Sequence, residues 1–159
     1  MFERGRKEGF EFLPGFHPID HTGLDVSEQY WYAKKYKYLT KDDEANYNNR
    51  WLQFNGKFTG KTGDVVEKIK SRINADEAHI YANWIKNGHQ YGRHNDDMSV
   101  LIVQIWNSMA YCVESEIGSK QHTAYVLNPG DALYIHRGTW HTPVIYGERM
   151  TLSFSGVDI

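Results

Sequence analysis

The sequence has little that would place the chain in a membrane or in an oxidising compartment. Its 159 residues include a single cysteine, Cys112, so no disulfide can form within the chain. No apolar run reaches the 18 or so residues that a membrane-spanning helix needs, and the first residues lack the apolar stretch of a signal peptide. We therefore expect a cytoplasmic protein in a reducing setting, with Cys112 as a small core residue.

An excess of charge of either sign is also missing. Lysine and arginine number 18 and acidic residues number 20, which gives a net charge of −2 at pH 7. Such a chain has no overall field that would draw it to nucleic acid or to an anionic membrane. The basic run around Lys34, Lys35 and Lys37 is interpreted as the solvated face of a helix.

Apolar residues make up 40% of the chain and aromatic residues 14%, which is enough for a substantial core. The length predicts one domain, covering residues 1–159. Within it, residues 1–24 are punctuated by glycine and proline and are expected to form an extended arm. Residues 25–75 are expected to be a helical support, and residues 77–156 a β core.

The clearest helix is predicted over residues 62–73, with Thr62 or Asp64 as its cap. Basic residues crowd its second half, as the helix dipole favours. Its apolar positions recur at helical spacing and should cover one face of a sheet. These positions are Val65, Val66, Ile69 and Ile73.

The rest of the first half carries weaker patterns. Residues 25–39 are predicted to form a helix with Ser27 as its N-cap. Residues 40–60 are polar and rich in asparagine, and they are interpreted as loop and short helix. A loop that contacts a substrate could lie in this segment.

From residue 77 the apolar pattern changes to a period of two, which is typical of strands. Several short strands without intervening helices predict an antiparallel sandwich or barrel, and a double-stranded β-helix, or jelly roll, fits this pattern. Strands are predicted at 77–84, 99–106, 109–115, 123–127, 131–136, 141–146 and 149–155.

Three residues of this half could together bind a metal ion. His94 and Asp96 are two positions apart, so on a strand their side chains would leave from one face. His141 lies at the end of another predicted strand. Two imidazoles and one carboxylate are the ligands that non-haem iron(II) accepts while keeping open positions. A lone His-x-Asp is more often a pair of solvated residues. The prediction therefore depends on the whole pattern, in which this pair is combined with the distant His141.

Two motifs resemble those of the 2-oxoglutarate and Fe(II)-dependent oxygenases. The stretch Gly88-x-x-Tyr91-x-x-His94-x-Asp96 is similar to their first metal motif. The stretch from His141 to Ser153 is similar to the second motif of the prolyl-hydroxylase-like branch, in which an arginine follows the distal histidine. Residues 130–141 are also similar to the second cupin motif and to JmjC-type oxygenases. The resemblance covers residues 77–156.

The resemblance implies that His94, Asp96 and His141 bind Fe(II) and that Arg149 binds the carboxylate tail of 2-oxoglutarate. A buried arginine needs an anionic partner, and a dicarboxylic acid would supply one. Thr151 lies two residues on, where its hydroxyl could donate to the same group. Tyr91 could contact the cosubstrate, and it could equally be a core aromatic. The alternative for Arg149 is an ion pair at the surface.

In JmjC members the cosubstrate cation lies on the strand after the first motif. This chain has Met109 there and no lysine or arginine, so the branch with Arg149 is preferred. The implied activity is hydroxylation of a C–H bond in a protein side chain, a nucleobase or a small metabolite. Two alternatives stay open: a metal-binding cupin enzyme that does not use 2-oxoglutarate, and a non-catalytic binding module with the same barrel.

Overall fold

The computed structural model describes residues 1–35, 51–55, 58–83, 92–115 and 122–157. The described helices are α1 (Glu3–Glu8), α2 (Gly23–Lys35) and α3 (Gly60–Ile73). The described strands are β1 (Phe10–Leu13), β2 (Trp51–Asn55), β3 (Glu77–Asn83), β4 (Val100–Trp106), β5 (Met109–Glu114), β6 (His122–Leu127), β7 (Ala132–Ile135), β8 (His141–Val144) and β9 (Arg149–Ser155).

The strands form two antiparallel sheets. The large sheet has the order β1-β7-β4-β9-β3-β2, and the small sheet has the order β6-β5-β8. Side chains from both sheets share one buried apolar cluster, so the sheets pack face to face. The prediction of a mainly β, double-stranded β-helix is confirmed, and the strands predicted from residue 99 onward agree with β4–β9 to within two residues at each end.

The other face of the large sheet is covered by helices, as predicted. Helix α3 buries Val65, Val66, Ile69 and Ile73, and these pack with side chains of β3, β4 and β9. Ile69 is fully buried. The helical spacing of these residues therefore identifies the face of α3 that packs on the large sheet.

The predicted helix caps are wrong. Helix α3 begins at Gly60, after Thr59, and Thr62 is a buried residue of its first turns whose hydroxyl lies 3.0 Å from Nε2 of His21. Ser27 lies inside α2, whose start is capped instead by Thr22. The backbone amide of Thr22 donates to the Asp25 carboxylate over 2.8 Å, and the Asp25 amide lies 3.4 Å from the Thr22 hydroxyl, which is a reciprocal capping arrangement.

The first 24 residues are more regular than the predicted extended arm. They contain α1 and β1, and β1 pairs with β7 at the edge of the large sheet. Helix α1 has six residues, which is too short to show a period in the sequence, and it ends at Gly9 in the left-handed region with φ of 96°. The amide of His17 donates to the carbonyl of Gly130, so the segment is attached to the β core.

Two further predictions for the chain are corrected. Residues 51–55, expected to be loop and short helix, form strand β2, which pairs with β3. Cys112 is half-buried on β5 rather than a core residue, because its side chain alternates with the inward-facing Tyr111 and Val113. None of the helices in the described residues is long and apolar enough to cross a membrane.

Candidate metal centre

His94 and His141 lie side by side on the small sheet. The amide of His94 donates to the His141 carbonyl over 3.0 Å, and the amide of His141 donates back over 2.8 Å. This single bridge continues the sheet beyond β8. Outside this bridge residues 92–97 have no strand hydrogen bonding, so the condition under which His94 and Asp96 would share one face of a strand is not met.

The three predicted ligands converge. One ligand atom of each of His94, Asp96 and His141 lies within 4.8 Å of the other two. Oδ2 of Asp96 is 3.3 Å from Nε2 of His141 and 3.9 Å from Nε2 of His94. The two imidazole rings are 4.3 Å apart at their centroids. A single metal ion between these three atoms fits the separations.

Both imidazoles are oriented by a backbone carbonyl. Nδ1 of His94 donates to the carbonyl of Gly92 over 2.7 Å, and Nδ1 of His141 donates to that of Thr139 over 2.9 Å. Because a carbonyl only accepts, each Nδ1 carries a proton, and the neutral ring then keeps its lone pair on Nε2. Such bonds orient histidine ligands in metalloproteins. Here the lone pairs of both rings are on the Nε2 atoms, which lie nearest to Asp96.

The carboxyl group of Asp96 is kept ionised. Whenever Nε2 of His141 carries a proton, its hydrogen bond to Asp96 holds the pKa of Asp96 below its usual value; partial burial opposes this effect, and positive charge on His141 or His94 adds to it. A metal ligand must be deprotonated, so this environment prepares Asp96 to bind a cation.

A cavity of about 500 Å³ opens beside these three residues. It lies between the two sheets, and its wall combines the three ligands with polar residues and a few apolar ones. The other lining residues are Glu77, His79, Tyr81, Asp97, Met98, Val100, Ile102, Tyr111, Pro143, Arg149, Ser153 and Ser155. A cavity of about 670 Å³ between α3 and β3 contains none of the predicted ligands.

Arg149 lies in the wall of the first cavity at the start of β9. Its side chain is almost fully buried and Nη1 donates to the carbonyl of Tyr81 over 3.2 Å. Desolvation lowers the pKa of Arg149 to about 10, against the opposing effect of Tyr111 and Tyr81. The guanidinium therefore stays charged at neutral pH. The alternative prediction of a surface ion pair is wrong, because the residue is buried.

Thr151 shares a face of β9 with Arg149 but does not line the cavity. Its hydroxyl is fully buried and donates to Oε1 of Gln104 over 2.6 Å. The structure thus gives that hydroxyl a partner within the protein, and a role in cosubstrate binding stays a prediction. Tyr91 lies outside the described residues, so its contact with the cosubstrate also stays a prediction.

Sequence reasoning missed two tyrosines of this cavity, Tyr81 and Tyr111. Burial raises the pKa of Tyr111 to about 12, so its phenol stays protonated. Tyr81 lies on β3 in register with Thr151, one strand from Arg149. The alternation of residues along β3 and β5 indicates on which side of its own strand each tyrosine lies. It does not show that these sides of the two strands face each other across the cavity.

The sequence of residues 53–158 matches the JmjC domain. The chain belongs to the JmjC domain family. The match confirms the resemblance to 2-oxoglutarate oxygenases, and it falls on the JmjC branch, which the motifs alone made the less favoured of the two. No curated protein matches the sequence.

Several solved structures are similar to this chain at low sequence identity. A structure of the Escherichia coli ribosomal oxygenase YcfD is 19% identical, covers 66% of this chain and 31% of its own, and has a TM-score of 0.53. Another, of YcfD with cobalt and 2-oxoglutarate, is 21% identical over 58% and 27% of the two chains, with a TM-score of 0.48. Drosophila melanogaster CENP-C bound to CAL1 is 10% identical over 67% and 70%, with a TM-score of 0.48.

This JmjC chain therefore spans about a third of the length of YcfD. The predicted cosubstrate cation, Arg149, lies on β9 and so departs from the JmjC pattern, in which the cation lies on a strand after the first motif. The two strands that follow the motif here, β4 and β5, carry neither lysine nor arginine, and β5 carries Met109 and the cavity tyrosine Tyr111.

Proposed function

We propose that this JmjC domain is an Fe(II)- and 2-oxoglutarate-dependent oxygenase that hydroxylates a C–H bond. One observation carries the proposal: three ligand atoms within 4.8 Å of one another open on the same cavity as the buried cation of Arg149. Membership of the JmjC family supports it. The substrate would be a protein side chain, a nucleobase or a small metabolite.

The donor set fits Fe(II). Nε2 of His94, Nε2 of His141 and the Asp96 carboxylate would hold the ion, and three protein ligands leave positions for an oxoacid and dioxygen. When bound, the metal and the oxoacid supply the oxidation: one oxygen atom enters the oxoacid, which yields succinate and carbon dioxide, and the other enters the substrate C–H bond.

Arg149 would bind the distal carboxylate of 2-oxoglutarate. Its guanidinium is charged and buried, so a bidentate carboxylate partner in the cavity would offset much of the cost of desolvation. Tyr111 lines the same cavity as Arg149, keeps its phenolic proton and can donate to the same carboxylate. These two residues would orient the oxoacid with its other end toward the three ligands.

The cavity wall would also limit the access of water. Val100, Ile102 and Pro143 contribute apolar surface beside the ligands. Exclusion of water protects a reactive oxidant from side reactions and strengthens the charge interactions around it. The protein's own contribution is therefore binding, orientation and exclusion of solvent.

The deciding experiment is an assay of succinate formation by the anaerobically prepared protein after addition of Fe(II), 2-oxoglutarate and oxygen. We expect slow succinate formation without substrate and faster formation with a substrate pool. Stoichiometric metal binding without 2-oxoglutarate turnover would favour a metal cupin that does not use the oxoacid. Absence of stoichiometric Fe(II) binding would instead favour a non-catalytic module.

A further inference from the structure

Arg93, Glu114 and Trp140 form a cluster beside the two histidines. Nε of Arg93 donates to Oε2 of Glu114 over 2.5 Å, and Nη2 donates to Oε1 over 2.9 Å. The Arg93 guanidinium carbon lies 4.1 Å from the centroid of the Trp140 ring. The three residues are called the Arg93 cluster below.

Each member of the Arg93 cluster is tied to a candidate ligand through the backbone. Arg93 precedes His94 and Trp140 precedes His141 in the sequence. The amide of Glu114 donates to the carbonyl of Trp140 over 2.9 Å, at the point where β5 pairs with β8. None of Arg93, Glu114 and Trp140 is among the residues that line the cavity, so the cluster lies outside it.

The Arg93 cluster is held together by a bidentate ion pair and a cation–π contact. The Glu114 side chain is 6% exposed, and it accepts both bonds from one guanidinium fork. Bidentate charged pairs fix geometry as well as contributing energy, and a guanidinium over an indole ring adds a cation–π contact. The Arg93 side chain is 38% exposed, so part of its charge is screened by solvent.

The segment that carries His94 and Asp96 needs such a restraint because it is not a regular strand. It is attached by the bridge between the two histidines and by the amide of Gly138, which donates to the Asp96 carbonyl over 2.9 Å. The Arg93 cluster reaches across β8 to β5 and so connects this segment to the centre of the small sheet.

We propose that the Arg93 cluster is a positioning device that sets the separation of His94 and His141 and thereby raises the affinity of the metal site. The proposal rests on the proposed function in taking these residues as ligands. It assigns no contact with metal or substrate to Arg93, Glu114 or Trp140. Loosening the cluster should widen the range of ligand separations and weaken binding.

The test separates positioning from stability. The double variant Arg93→Met/Glu114→Leu removes both charges together, so no charge is left buried without its partner, and replacements of this kind are often neutral for folding. We expect a free energy of unfolding of the metal-free protein close to the wild-type value. We expect the Co(II) dissociation constant, measured by anaerobic titration of the protein, to rise about ten-fold or more, as for other residues that support metal ligands.

Arg93→Lys provides a second variant that leaves Glu114 opposite a cation. Lysine cannot reproduce the planar fork or its stacking on the indole, so metal affinity should fall by a smaller factor than in the double variant. At saturating metal, the KM for 2-oxoglutarate should stay at the wild-type value in both variants, because the cluster lies outside the cavity.

Arg72→Ala is the matched control. The Arg72 guanidinium carbon lies 4.1 Å from the Phe16 ring centroid, and Nη1 donates to the Phe16 carbonyl, on the far side of the large sheet. This variant should lower stability and leave Co(II) affinity unchanged. Wild-type affinity in both Arg93 variants would overturn the positioning proposal alone. A wild-type protein that binds no metal would overturn it together with the proposed function.

Discussion

Oδ2 of Asp96 lies 3.3 Å from Nε2 of His141, although Asp96 is in a loop and His141 begins a strand. The Nδ1 proton of His141 is directed to the Thr139 carbonyl, so the Nε2 lone pair faces the carboxylate. This pairing of an ionised carboxylate with an imidazole lone pair is unfavourable without a shared proton or cation. A metal ion bound between the two groups would resolve it.

Asp96→Ala should abolish stoichiometric Fe(II) binding and succinate formation, because two imidazoles alone give an incomplete ligand set. The measurement is anaerobic metal titration followed by the succinate assay. Asp97→Ala is the control, since Asp97 lines the same cavity as an exposed neighbour. Equal metal affinity of wild type and Asp96→Ala would contradict the assignment of this carboxylate as a ligand.

Arg149→Ala should raise the KM for 2-oxoglutarate about 100-fold, since removing one partner of a buried charge pair costs about 2–5 kcal/mol. Metal affinity should change little, because Arg149 is not a ligand. Arg137→Ala, an exposed arginine after β7, should leave the KM unchanged. Steady-state kinetics with varied 2-oxoglutarate would decide, and an unaltered KM in Arg149→Ala would remove the case for this residue.

Ile69→Ala should destabilise the protein by about 2–5 kcal/mol, since it leaves a cavity where α3 packs on the large sheet. Ile69 is fully buried, whereas its neighbour Lys68 is exposed. Lys68→Ala should therefore stay within about 0.5 kcal/mol of wild type. Urea denaturation of the metal-free proteins gives both values, and comparable losses in the two variants would show that α3 does not anchor the sheet.

His21 should make stability depend on pH. Burial lowers the pKa of His21 below the ordinary value of 6.5, and its buried Nδ1 atom has no hydrogen-bond partner among the residues that the structure describes. The unfolded chain therefore binds more protons than the folded one just below that pH, so stability falls as the pH drops through this window. Urea denaturation at about pH 7.5 and about pH 5.5 measures the loss.

His21→Gln is the variant that tests this source of pH dependence. Glutamine cannot be protonated in this range, and its amide can still approach the Thr62 hydroxyl that lies 3.0 Å from Nε2 of His21. The variant should lose less stability than wild type between the two pH values. An identical loss in both proteins would assign the effect to other groups, such as His79, whose pKa is also lowered by burial.

Much of the β core could be predicted because its signals are local. A short apolar run, as in β4, or an alternation of polar and apolar residues, as in β9, requires only a few consecutive residues, and β4, β5 and β9 were predicted to within one residue. The same holds for α3, whose apolar stripe has the helical period. Helix starts were predicted less well, because Thr22 and Asp25 cap α2 through a pair of contacts that also occurs in loops.

The sequence indicated the three side chains that converge and, of the cavity wall, Arg149 but neither Tyr81 nor Tyr111. His94, Asp96 and His141 form a pattern of residue types that metal chemistry restricts to few choices. Tyr111 had no such pattern, and neither did the ion pair of Arg93 with Glu114. Their positions depend on which strands face each other in the folded protein, and no local sequence pattern indicates that.

The sequence by itself determined which residues form strands, which face of α3 is buried and which three side chains could share a metal ion, because each follows from residue type and short-range spacing. The tertiary structure alone decided that His94 lies in a bridge outside a regular strand, that the Thr151 hydroxyl donates to Gln104, and that Tyr111 stands near Arg149. These contacts join segments distant in the chain, and packing of the two sheets selects them.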